Sequence, residues 1–181
     1  MPLRNATEGV PYSERSPTIV RGDGSPQPRK VDPAMIQIKT TRFGAVEIET
    51  TDVLRFPAGL IGLEQCQEWV LLADGENDAL GWLQSTQRPD LAVAVVSPRR
   101  YVPEYQVRVA RRELAPLQLE DAHPAQVLVI VGKNDRSITL NLKAPLAINL
   151  QRRLGRQMIT NGNQPLRFPL VDVSSPLRRS A

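Results

Sequence analysis

Along residues 36–170 the apolar positions form short runs that Gly and Pro keep interrupting. Ile36-Gln37-Ile38-Lys39 alternates, Phe43-Gly44 turns, and Val46-Glu47-Ile48-Glu49 alternates back, which predicts a β-hairpin with Glu47 and Glu49 on its wet face. Trp69-Val70-Leu71-Leu72, Leu91-Ala92-Val93-Ala94-Val95-Val96 and Val127-Leu128-Val129-Ile130-Val131 are continuous apolar runs of strand length. That pattern suits strands covered on both faces. Lys133-Asn134-Asp135-Arg136 joins the last run to Ile138-Thr139-Leu140-Asn141-Leu142, another clean alternation. No stretch free of Gly and Pro within this body exceeds 12 residues, so helices of ordinary length have little room. The one helix candidate is Arg111-Arg112-Glu113-Leu114-Ala115, which Pro116 limits to a turn or two. A second short turn is expected at Glu64-Gln65-Cys66-Gln67. Together these signals predict a mostly β fold, a small antiparallel β-barrel-like single domain with one or two short helices.

The ends differ from the body. Residues 1–35 hold six of the 16 Pro and three Gly with only scattered apolar side chains, so a disordered N-terminal extension is expected there. Residues 171–181 resemble them and are expected to be a flexible C-terminal tail. No apolar run approaches the ~18 residues of a membrane span, and the N-terminus lacks the apolar core of a secretory signal. The expectation is a cytoplasmic protein without a membrane partner, and a monomer.

Charge changes this picture little. The net charge is +4, but residues 36–170 carry sixteen bases against fourteen acids, and no block of five like charges occurs. A single Cys excludes an internal disulfide, and one Cys with one His excludes the usual Cys/His zinc site. No Gly-rich phosphate loop is present. Asp74-Gly75-Glu76-Asn77-Asp78 opens like a calcium loop, yet Ala79 and Ser85 stand where Gly and Glu are needed, so it reads as a solvated acidic turn. Cys66 and His123 could form a nucleophile–base pair. However, His123 falls in the loop Asp121-Ala122-His123-Pro124, and Cys66 beside a strand reads as a buried thiol. No catalytic residue, cofactor or metal is expected.

Four arginine pairs, Arg99-Arg100, Arg111-Arg112, Arg152-Arg153 and Arg178-Arg179, raise an alternative: a single-stranded RNA-binding β-domain, with Tyr101 and Tyr105 beside one pair to stack bases. Two other stretches are more peculiar. In Phe56-Pro57-Ala58-Gly59-Leu60-Ile61-Gly62-Leu63-Glu64, one Pro, two Gly and three bulky apolar residues require a loop that folds inward. Asn141-Leu142-Lys143-Ala144-Pro145-Leu146-Ala147-Ile148-Asn149 leaves a strand, breaks at Pro145 and resumes. It is either a barrel corner or an exposed apolar edge able to hold another protein by strand addition.

With Phe43-Gly44, Trp82-Leu83-Gln84-Ser85, Arg88-Pro89-Asp90-Leu91-Ala92 and Arg153-Leu154-Gly155-Arg156-Gln157, these stretches in this order resemble the bacterial flagellar assembly factor FliW family. The resemblance implies a non-catalytic β-barrel-like fold and a partner switch. The protein would bind CsrA, an RNA-binding repressor dimer, and relieve its repression of flagellin mRNA. It would also bind flagellin, with no direct nucleic-acid contact. A near-neutral, slightly basic body is a poor mimic of a phosphate backbone, which fits a non-competitive antagonist. Family members are commonly short and acidic, whereas this chain is basic and longer at its N-terminus. The residues expected to contact or shape a contact with partners are Asn141, Lys143, Pro145, Asn149, Arg153 and Gln157; the Phe56 loop and Trp82 are expected in the core.

Overall fold

The structure is a computed structural model that describes residues 18–19, 33–119, 125–133 and 137–172. His123, the Asn134–Arg136 turn and the Arg178-Arg179 pair lie outside the described residues. The strands in chain order are β1 (Thr18–Ile19), β2 (Met35–Thr40), β3 (Gly44–Glu49), β4 (Leu54–Arg55), β5 (Glu68–Ala73) and β6 (Leu80–Ser85). They continue with β7 (Ala92–Val96), β8 (Gln126–Lys133), β9 (Ser137–Leu140), β10 (Leu146–Asn149), β11 (Leu154–Gln157) and β12 (Phe168–Asp172). A four-residue helix, α1 (Arg111–Leu114), runs into a 3-10 turn at Ala115–Leu117, and further 3-10 turns lie at Thr50–Asp52 and Pro98–Arg100. Pro116 sits inside the 3-10 turn, so the helix is as short as its sequence requires.

Strands β4, β5, β6, β7, β8, β10 and β11 close into a seven-strand barrel, because β10 pairs with both β11 and β8. Among the described pairings, β4 with β11 is the parallel one, at the single register Leu154–Arg55. The mostly β, barrel-like fold with short helices is therefore as the residue pattern foretold. Strand β12 pairs with β9 and extends through Asp172, two residues beyond the body drawn from composition. Strand β1 lies against the upper half of β5, Thr18 opposite Ala73.

The three continuous apolar runs are explained by two-sided cover. On β5, Trp69 and Leu71 enter the barrel core with Leu54, Phe56, Leu60, Leu83, Val95, Leu128, Leu146 and Ile148. The alternate residues Val70 and Leu72 lie outside it, under Ile38, Phe43, Val46 and Ile48 of the β2–β3 hairpin. Strand β8 repeats the scheme, with Leu128 inside the barrel and Val129 packed outside on Val96, Tyr105, Leu140 and Leu142. A strand sandwiched this way has no face for polar residues. The hairpin itself spans the expected segments, in register Ile38–Val46.

Two expectations about the core need correction. Trp82 is only half-buried; it lies on the outer face of β6. The Arg42 guanidinium stacks 3.7 Å from its ring centroid, and its indole N–H donates to Asp74 Oδ2 at 2.9 Å. The Phe56 loop folds inward in part: Phe56 and Leu60 are buried, Leu63 is half-buried, and Ile61 points out at 58% exposure. No helix among the described residues is long and apolar enough to cross a membrane.

Candidate protein-binding site

The two peculiar stretches and strand β11 meet on one side of the barrel. The Phe56–Glu64 loop is a chain of tight turns: Gly59 N–H donates to Phe56 O at 2.7 Å, Leu63 N–H to Leu60 O at 2.8 Å, and Cys66 N–H to Leu63 O at 2.9 Å. Gly59 and Gly62 hold φ of +66° and +83°, which other residues adopt only with strain. A Cβ on Gly59 would also stand 2.5 Å from the Glu64 backbone. Beneath the loop, the tip of the Phe56 ring abuts Gly155 of β11, where any Cβ would collide with the ring's Cζ and Cε atoms. Gly155 is thus the reason the parallel seam can form beside Phe56.

Gln157 ties the stretches together. Its Oε1 accepts the Ile61 N–H at 2.8 Å, and its Nε2 donates to Ala144 O at 3.1 Å. One side chain therefore links the loop, β11 and the Asn141–Asn149 stretch. Of the two readings of that last stretch, the structure shows a barrel corner: β10 is paired on both sides and offers no free edge. Strand addition at β10 is excluded by that pairing.

The six residues expected at the site divide between the two ends of β10, roughly 10 Å apart at strand rise. At one end, Asn141 Oδ1 accepts the Ala144 N–H at 2.9 Å, Lys143 Nζ donates to Gly162 O at 2.8 Å, and buried Pro145 accepts the Met158 N–H at 3.0 Å. Gln157 completes this group. At the other end, Asn149 is buried; its amide donates to Leu117 O and Gln118 O, and its Oδ1 accepts the N–H groups of Gln151 and Arg152. Arg153 holds φ +55° beside the seam, and its carbonyl accepts the Arg55 N–H at 2.8 Å. Asn141, Pro145 and Asn149 thus shape the chain, while Lys143 and Gln157 stand nearer the surface.

What the sequence did not single out is the cleft beside Gln157. It is open, about 360 Å³, and lined by Ile61, Gln157, Met158 and Ile159 with Arg112 and Glu113 of α1. Ile159 is 62% exposed although its neighbours Met158 and Thr160 are each 2% exposed. Thr160 N–H donates to Lys143 O at 3.0 Å, so this segment runs like a strand with Ile159 in the outward register. An isoleucine there is the only signal the sequence carried. Glu113 Oε2 accepts from Arg156 at 2.7 Å and its Oε1 lies 3.8 Å from Arg112 Nε, while Arg108 and Arg111, close by in sequence, are exposed. On the loop, the Gly62 N–H bound to Glu64 Oε1 at 2.8 Å holds that carboxyl below the usual carboxylate range. Beneath the adjoining 101–109 segment, burial pushes the Tyr105 phenol up to about 12 while its O–H donates to Leu142 O at 2.8 Å.

Cys66, Asp74 and Tyr105 are each engaged within the fold. Cys66 is 2% exposed in the barrel core, the common setting of a structural thiol. Asp74 spends its carboxylate on the Glu76, Asn77 and Trp82 N–H groups, closing the acidic turn. Near the exposed Arg99-Arg100 pair, Tyr105 is buried and Tyr101 half-buried, so neither presents a free ring to stack a base.

Comparison with known proteins agrees with this architecture. The model of the FliW protein family matches residues 37–170. The flagellar assembly factor FliW of Natranaerobius thermophilus is 32% identical over 150 residues, 81% of this chain and 99% of that protein. That of Bdellovibrio bacteriovorus is 35% identical over 136 residues, 74% of this chain and 78% of that protein. A crystal structure of the flagellar assembly factor FliW superposes with a TM-score of 0.71 at 30% identity, covering 77% of this chain and 99% of the other. With the family's match spanning the whole barrel, the chain belongs to the FliW family of flagellar assembly factors.

Proposed function

We propose that this protein works in the cytoplasm as a partner switch in flagellum assembly, through binding and not catalysis. It captures the translational repressor CsrA and so relieves repression of flagellin mRNA, and it binds flagellin, whose free form competes for it. The observation that supports this reading most is the convergence at Gln157, where the loop, β11 and the β10 corner build one rigid, apolar-tipped surface. A fold that spends glycine strain and buried amides on presenting exposed isoleucines is built to be docked against. In this reading Lys143 and Gln157 touch the partner, while Asn141 and Pro145 fix the chain beneath them.

Calorimetry of the full chain against CsrA from the same organism tests the proposal. Saturable binding is expected, together with competition by flagellin. Absence of heat at about 50 μM of either partner would sink it.

A further inference from the structure

The β10–β11 wall of the barrel is covered by α1 and its 3-10 turn, through Leu117 on Ala147 and Met158. That cover stops short of Ile61 and Ile159, two of the five large apolar side chains exposed among the described residues, and both line the same cleft. Single exposed apolar residues are ordinary on protein surfaces, but two rigidly held ones across one cleft form a receptor for an apolar side chain. Ile61 cannot fold away, since its N–H is held by Gln157 Oε1 and its loop by positive-φ glycines. Ile159 is fixed by the buried residues on either side of it.

The rim supplies a sign. Glu113 is engaged by Arg156 at 2.7 Å, with both side chains about a third exposed or less. Arg108 and Arg111 are exposed, and the Arg112 side chain is 86% exposed. On the far side, the Glu64 carboxylate is turned onto the Gly62 N–H. Arg112 Nε also lies 3.8 Å from Glu113 Oε1, so Glu113 is shared by Arg112 and Arg156. With Arg108 and Arg111 added, the net charge on the α1 side is positive, in a body that is otherwise nearly neutral.

We infer that this cleft is a docking groove for an acidic segment of a partner protein, which seats a branched aliphatic side chain between Ile61 and Ile159 while its carboxylates meet Arg108, Arg111 and Arg112. The inference rests on the partner-switch reading and adds to it the chemistry of the segment recognised. It also separates roles on the surface: the basic face that an RNA-binding protein turns to phosphate is repelled here, so such a partner docks by a different, acidic part of itself.

The test is a titration of the isotopically labelled full chain, followed by amide NMR shifts, with two ten-residue peptides, one alternating Glu and Leu and the other Lys and Leu. The Glu–Leu peptide is expected to move amides in residues 57–64, 108–114 and 157–161, and to weaken about fivefold or more between 50 and 300 mM salt. The Lys–Leu peptide should leave those amides in place. I159D and R112E, both at exposed positions and so neutral for folding, should each weaken the Glu–Leu response about fivefold or more. No shifts at about 1 mM peptide, shifts centred elsewhere, or equal responses to both peptides would overturn the groove. CsrA and flagellin calorimetry on the same sample keeps the two ideas apart. Partner binding with a silent groove overturns this inference alone, whereas failure to bind either partner overturns the switch itself.

Discussion

Two walls of the same barrel are finished differently. On the β5–β6 wall, the β2–β3 hairpin lays Ile38, Phe43, Val46 and Ile48 over Val70 and Leu72, and the seal is complete: Val70 and Leu72 are fully buried. On the β10–β11 wall, α1 and its 3-10 turn cover Ala147 and Met158, but Ile61 and Ile159 are left in water beside them. The first wall stabilises; the second is stabilised only as far as it must be to hold a shape. The contrast teaches where to look for a docking surface on this barrel. It lies where tight backbone geometry is invested and apolar cover is withheld.

The largest expected difference between the walls concerns glycine. Gly155→Val would drive its side chain into the Phe56 ring and lower stability by at least about 3 kcal/mol in urea unfolding. On the other wall, a Cβ at Gly81 meets its nearest neighbour, Val95 Cγ2, at an ordinary 3.4 Å. Gly81→Ala should therefore change stability by no more than about 1 kcal/mol. Similar costs for the two would erase the distinction between a wall strained to hold a shape and one simply packed.

Next in size is the burial contrast. Leu72→Ala, beneath the hairpin, is expected to cost about 3 kcal/mol, with transfer and cavity contributions both present. Ile159→Ala should stay within about 0.5 kcal/mol in the free protein, because its side chain is already wet. Thermal unfolding of the two variants side by side reads this directly.

Two smaller effects sharpen the picture on the cleft side. Gln157→Ala removes the bridge between Ile61 N–H and Ala144 O and should cost about 1–2 kcal/mol, with faster hydrogen exchange at the Ile61 amide and none of that change in the hairpin. Tyr105→Phe deletes the bond to Leu142 O, a loss of about 1 kcal/mol at neutral pH. The pH dependence has a definite sign. The folded phenol titrates near 12 against an ordinary 10.0, so the fold favours its neutral form. That contribution is complete below pH 10 and is lost as pH rises from about 10 to about 12. The wild type should lose stability across this window, and Tyr105→Phe should lose less.

Much of the barrel could be read from residue order because two-sided burial writes itself as unbroken apolar runs. The hairpin was legible as alternation, α1 as the short span before Pro116, and β5, β7 and β8 as strands covered on both faces. Strands β4 and β11 carried no such mark. Leu54–Arg55 is two residues long, and Leu154-Gly155-Arg156-Gln157 mixes one apolar residue with glycine and polar groups; both are strands because of the partner across the seam. Trp82 misled because an aromatic on a strand was expected to face the core, whereas a half-buried indole can be satisfied outside by Arg42 and Asp74. At the site, Gln157 was expected to contact a partner or shape a contact; its amide joins the Phe56 loop to Ala144, a link no local pattern announces. Asn149 was expected to contact a partner or shape a contact; its hydrogen bonds turn inward to the 3-10 turn and the β10–β11 corner, where it shapes the chain. Ile159 escaped notice because its outward register depends on Thr160 pairing with Lys143, a contact spanning residues that no local pattern connects.

The central claim, that the incompletely covered wall is the binding wall, is tested most directly by one paired calorimetric measurement. Ile159→Asp on the cleft and Met35→Asp on the hairpin alter residues of nearly equal exposure, 62% and 59%. Against CsrA or flagellin, Ile159→Asp is predicted to weaken binding by about tenfold or more, with Met35→Asp indistinguishable from wild type. Equal affinities for both variants, or a loss confined to Met35→Asp, would contradict the account.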